Sequence, residues 1–153
     1  MSVGALGTRT RNLHAVRAAA AAGGALCLAL AAASCGGIRA PDLFLVQRSG
    51  AGAGARLTLL VNEEGGVRCN GGAQLKLSDP ALIEARTIQE GLRDPSSQHL
   101  SLPPGREPVL SYHVRDEHGS VSFHDDSPRQ PKVLRELQAF VLATAQRVCH
   151  LPE

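Results

Sequence analysis

The chain has 153 residues, a formal charge of +2 and an aromatic content of only 3%. That length allows one domain with a modest core, and the shortage of aromatics means the core must be built mainly from leucine and valine. No block of lysine or arginine interleaves with the few aromatics (Phe44, Tyr112, Phe123, Phe140), so the chain lacks the footprint of a nucleic-acid binder.

Positions 18–34 form an uncharged, alanine-rich run that is preceded by Arg9, Arg11 and Arg17 and ends in small residues. This is the composition of the apolar core of a secretory signal. The block Ala32-Ala33-Ser34-Cys35 resembles a bacterial lipobox, in which a peptidase cuts before a cysteine that carries a thioether-linked diacylglyceryl group. The resemblance implies a lipoprotein signal peptide over 1–34, lipidation of Cys35 with palmitate-type chains and a tether over 35–41. It also implies attachment to the extracytoplasmic face of a cell membrane. Two other readings stay open. A membrane span would want about 20 strongly apolar residues, whereas this run is shorter and interrupted by Gly23-Gly24. An ordinary signal cut after a small residue would leave Cys35 as a thiol. Three of the 16 basic residues and none of the 14 acidic ones lie in the first 34 positions, so the remainder carries a charge of about −1.

With Cys27 in the signal and Cys35 assigned to lipid, Cys69 and Cys149 remain as an even pair in an oxidising compartment, where a disulfide is expected. It would close a loop of about 80 residues and stabilise the fold by roughly 4 to 5 kcal/mol on the loop-entropy argument. Cys149 and His150 are neighbours, and neighbours on a helix point about 100° apart, which disfavours a thiolate–imidazole pair.

The domain is expected over 42–150. Asp42 to Arg48 is a short apolar run between Pro41 and Ser49-Gly50, and it predicts a first strand. The loop Ser49 to Ala55 alternates glycine and alanine; a phosphate cradle would open a helix, and this loop opens a strand. Leu57, Leu59 and Val61 alternate on one face, and Val67-Arg68-Cys69 continues the pattern. A three-residue turn, Glu63-Glu64-Gly65, places Val61 opposite Val67 and Leu59 opposite Cys69. Asn70-Gly71-Gly72 ends that strand.

Ser78-Asp79-Pro80 predicts a helix start, with Ala81, Ala85, Ile88 and Leu92 at helical spacing and a stop at Gly91 and Asp94-Pro95. Pro95 to Pro108 is too rich in breakers for a core element and predicts a functional or a mobile loop. Leu110, Tyr112 and Val114 alternate next. A two-residue His118-Gly119 turn sets Val114 opposite Phe123 and His113 opposite His124. With Asp125 and Asp126 nearby this pair could begin a metal site, but the spacing fixes no third ligand, so solvent-facing histidines are expected. After Ser127-Pro128 and Pro131, a helix carries Val133, Leu134, Leu137, Phe140, Val141, Thr144 and Val148 on one stripe, and Leu142 points away.

The expected class is therefore α+β: an antiparallel sheet of about five strands in the order β-ββ-α-ββ-α, with both helices packed on it. Together, several segments are similar to the emfourin-like proteins, small bacterial inhibitors found with thermolysin-type metallopeptidases. They are the first strand running into Arg48-Ser49-Gly50, the strand Leu57-Thr58-Leu59, the strand Tyr112-His113-Val114, the stretch Val121-Ser122-Phe123-His124-Asp125-Asp126 and the closing helix around Leu134-Arg135-Glu136-Leu137. The resemblance spans roughly 42–148 and implies a shared fold; inhibition of a secreted peptidase is its functional corollary. The lipid anchor, the Cys69/Cys149 pair and the Leu102-Pro103-Pro104-Gly105 loop depart from it. No Gly-x-Ser-x-Gly, paired-histidine metalloprotease motif or triad occurs, so no catalytic residue, cofactor or metal is expected. The sequence reading is a lipid-anchored envelope protein acting through protein interaction, with emfourin-like inhibition as the alternative.

The anchor is directly testable. Cys35→Ala is expected to shift the protein from the membrane fraction to the soluble fraction or to block its maturation. Unchanged detergent partitioning of a processed Cys35→Ala protein would refute lipidation at this residue.

Overall fold

The computed structural model describes residues 42–152; the expected signal peptide, the expected lipidation site Cys35 and the expected tether lie outside them. Six strands form one antiparallel sheet: β1 (Asp42–Gly50), β2 (Leu57–Asn62), β3 (Gly66–Cys69), β4 (Gln74–Lys76), β5 (Leu110–Asp116) and β6 (Gly119–His124). Helix α1 (Asp79–Ser97) follows β4, and α2 (Lys132–Arg147) closes the chain. The strand order is β4-β3-β2-β1-β5-β6, so the first strand is central and pairs with β2 on one side and β5 on the other. The class is α+β with six strands where about five were expected.

Alternation sorts the side chains onto two faces. Registers Leu59↔Cys69, Val46↔Leu59, Val46↔Val114 and Val114↔Val121 run a row across the sheet. A second row runs Leu57, Arg48, Tyr112, Phe123. Both rows lie on the face covered by the helices, where Ala85, Ile88 and Leu92 of α1 and Leu134, Leu137, Phe140 and Val141 of α2 complete the core. Phe140 meets Phe44 edge-on at 6.0 Å, and Tyr112 stacks on Phe123 at 4.9 Å. Each large apolar side chain buried in this way contributes about 1.5 to 3 kcal/mol.

The β2–β3 hairpin has the expected register, Val61↔Val67 and Leu59↔Cys69. Gly65 takes φ +80° in its turn, and the Asn62 side chain accepts from the Glu64 and Gly66 amides. Leu142 points to solvent, as its position off the α2 stripe implies.

Other features differ from expectation. Asn70-Gly71-Gly72 ends β3 as expected, but it also turns the chain into an unexpected strand, β4, whose three residues are all exposed and so carry no hydrophobic pattern. Helix α1 runs through Gly91 and Pro95 to Ser97. Gly91 is a contact residue: a Cβ there would sit 2.8 Å from Val133 Cγ2 on α2. Ser78 is the N-cap position, yet its side chain makes no capping bond. The proline-rich segment also reaches the core, since Leu100 and Leu102 pack against it and Ser101 bridges Ser122 in parallel beside β6.

The β5–β6 turn is shifted by one residue at its tip. Asp116 pairs with Gly119, so the turn residues are Glu117-His118, Val114 faces Val121 and Tyr112 faces Phe123. His113 consequently faces Ser122, and His124 faces Ser111. The cause is the buried Asp116 carboxylate. One oxygen accepts from the His118 and Gly119 amides at 2.8 and 3.0 Å, and the other accepts from Ser96 Oγ at 2.7 Å. Satisfying three donors in a buried position fixes the turn more firmly than side-chain pairing alone.

Cys69 and Cys149 form a disulfide with Cα atoms 5.9 Å apart, tying β3 to the residue just beyond α2. Replacing both with serine is expected to lower unfolding stability by roughly 4 kcal/mol, read as a reduced denaturant midpoint under non-reducing conditions. A midpoint unchanged from wild type would show that α2 needs no covalent tie.

Candidate functional site

The face away from the helices carries the other half of each alternation. Gln47 and Ser49 on β1, Ser111 and His113 on β5, and Ser122 and His124 on β6 lie there in register, with Ser101 beyond the edge. They line a cleft of about 380 Å³, together with Leu102 and with Arg48, Tyr112 and Phe123 of the row that alternation places on the helix-covered face. His113 Nδ1 lies 2.9 Å from Ser122 Oγ. His124 Nδ1 is buried and has no hydrogen-bond partner.

On the helix-covered side, Arg48 is only 6% exposed. Its Nε donates to the Ala55 carbonyl at 3.2 Å and its Nη2 to the Gly54 carbonyl at 2.7 Å, which fastens the Gly/Ala loop to β1. That loop is thus held by a side chain and leads into β2, as the sequence implied. Burial pushes the Tyr112 hydroxyl up from its ordinary pKa. The Arg48 guanidinium opposes the shift by charge and by a hydrogen bond, and the Asp125 carboxylate adds to it. Tyr112 therefore stays protonated beyond the usual phenol range.

One end of the cleft is bounded by the segment after Ser101, which is irregular yet firmly held. Its anchors come from the stretch that follows β6. Ser127 Oγ donates to the Pro103 carbonyl at 2.8 Å, and the Asp126 carboxylate accepts from the Gly105 amide at 2.9 Å and the Glu107 amide at 2.8 Å. Asp125 accepts from the Val109 amide at 3.1 Å. A Cβ at Gly105 would fall 2.3 Å from the Asp126 carbonyl oxygen, so glycine alone permits this approach. Pro103, Pro104, Arg106, Glu107, Pro108 and Val109 remain exposed on the outside of the loop. Of the functional and mobile alternatives, the hydrogen bonding argues against a mobile loop.

The candidate metal residues separate accordingly. His113 and His124 share a face but sit two positions apart in register, and Asp125 and Asp126 turn their carboxylates into the loop backbone. Among the described residues no group of three or more histidine, cysteine or acidic side chains could hold a metal ion. Cys149 is committed to the disulfide. The sequence offered no signal for the cleft itself, because serines and histidines alternating with core residues read as ordinary solvated positions. No family model, curated protein or solved structure matches the chain.

Asp126→Ala should release the loop without disturbing the core. Two backbone donors lose their acceptor, a change of about 1 to 3 kcal/mol in local stability, so tryptic cleavage after Arg106 is expected to accelerate about tenfold or more. An unaltered cleavage rate would mean that the loop is held by other contacts.

Proposed function

We propose that this is a lipid-anchored protein of the cell envelope that works by binding another protein and catalyses no reaction. The observation that carries the reading is the loop between Pro103 and Val109. Its outer side is exposed and its inner side is bonded to Asp125, Asp126 and Ser127, so little ordering entropy is lost when a partner closes on it. Arg106 stands at the bend, a residue type that anchors many interfaces. The anchor rests on the lipobox-like block ending at Cys35. A binding role is also favoured by the one serine–histidine contact in the cleft. Ser122 lies on a regular strand, and its amide is engaged by the Leu100 carbonyl at 2.9 Å, so that amide is not free to stabilise an oxyanion.

The second reading, inhibition of a thermolysin-type metallopeptidase, is favoured by the resemblance to the emfourin-like proteins and by the same loop, since a rigid convex segment suits a peptidase cleft. A photo-crosslinking residue at position 106 is expected to give a discrete envelope adduct that is lost in Asp126→Ala and absent when the label sits at Ile83. Equal adducts from both positions would defeat loop-directed binding. Titrating the purified protein against several thermolysin-type peptidases separates the readings: no inhibition at large molar excess removes the second and leaves the first.

A further inference from the structure

The cleft on the open face has a one-sided chemistry. Gln47, Ser49, Ser111, His113, Ser122 and His124 can all donate a hydrogen bond, and no carboxylate is among the lining residues. Arg48 is also among the lining residues, and the hydrogen bonds of its buried guanidinium run to neutral groups. Its partners are the carbonyl oxygens of Gly54 and Ala55 and the Tyr112 hydroxyl. A cation held by dipoles in a poorly solvated position leaves a positive potential on the surface above it. The Asp125 and Asp126 carboxylates are outside the lining and accept from the amides of Val109, Gly105 and Glu107, although the charge of Asp125 still reaches Tyr112.

His124 supplies the second, independent observation. Its Nδ1 is buried with no partner in the protein, and a buried polar atom left unpaired costs about 1 to 3 kcal/mol unless something else satisfies it. The neighbours in register are Ser111 across β5 and Ser49 beyond it on β1, spaced by about 4.8 Å per strand. Donors on three adjacent strands surround a small polyatomic anion better than they match the planar fork of a single carboxylate.

We infer that this cleft binds a phosphate group through His124, His113 and the serine hydroxyls, with Arg48 providing the underlying field. A volume of about 380 Å³ exceeds what a bare phosphate fills. The ligand class is therefore a phosphate monoester carried on a small polar body, a phosphorylated sugar or polyol. The inference is independent of the anchor and of protein binding at the outer side of the 103–109 loop.

The test is a two-dimensional amide NMR titration of the processed protein with inorganic phosphate and with glycerol phosphate, each against sodium chloride at matched ionic strength. Saturable shifts are expected at residues 47–49, 111–113 and 122–124. His124→Ala should weaken binding about tenfold, as loss of a charge-assisted bond does, while His150→Ala leaves it unchanged. Tighter binding of the ester identifies a phosphorylated small molecule, and equal affinity identifies phosphate itself; both support the site. Shifts no larger than those given by chloride, or equal weakening by the two histidine variants, overturn it. Ser111→Asp, whose folding the same spectra report, is expected to abolish the shifts, and retained binding in that variant also counts against the site.

Discussion

The two halves of the sheet meet only along β1. Strands β2 to β4 pair on one side of it and β5 and β6 on the other, so any slip of β1 would displace both. The alternation that follows Val46, with Arg48 buried between the exposed Gln47 and Ser49, makes such a slip costly, since a one-residue shift would exchange the two faces of the strand. The closing helix reinforces the seam. Phe140 meets Phe44 on the central strand, and the chain just beyond α2 is tied to β3 by the disulfide, so the last element of the sequence is fastened to the first half of the sheet.

Order in the irregular part of the chain has a different origin. Between Leu102 and Leu110 there is neither helix nor strand, and the segment is shaped by side-chain acceptors and one donor placed further along the chain. Asp125, Asp126 and Ser127 cap it much as a side chain caps a helix end, by meeting backbone groups that would otherwise need water. Prolines at 103, 104 and 108 narrow the unfolded ensemble and lower the entropy lost on ordering the loop. The same two aspartates look, in sequence, like the acidic arm of a metal site. Their geometry shows carboxylates employed in holding backbone amides, and neither is among the residues that line the cleft beside them.

How much of this was legible follows from where the deciding contact lies. The β2–β3 register and the α2 stripe depend on local alternation and a nearby turn, and both emerged from the residues. The β5–β6 register did not, because Asp116 is fixed partly by Ser96, 20 positions earlier on another element. Gly91 reads as a helix breaker until α2 is laid against it, when the absent side chain becomes the reason the helices approach. Strand β4 has no buried residue to betray it. The cleft is the extreme case: its residues come from three strands whose adjacency is a property of the strand order, and none of them departs from what a solvated strand face contains.

Arg48 joins these threads. On a face that otherwise reads Phe44, Val46, an arginine at the next inward position is a costly choice, because the desolvation of a guanidinium must be offset by hydrogen bonds to neutral groups. Its bonds to Gly54 and Ala55 fold the small-residue loop back over the end of β1, where a leucine would close the core and leave the loop unfastened. Contact with Tyr112 carries the guanidinium's charge to the strand that bears Ser111 and His113. A residue needed only to hold the loop could be neutral. The charge is what ties the loop, the tyrosine and the donor-lined cleft into one electrostatic unit, and it makes the polar face of the sheet more than a solvated surface.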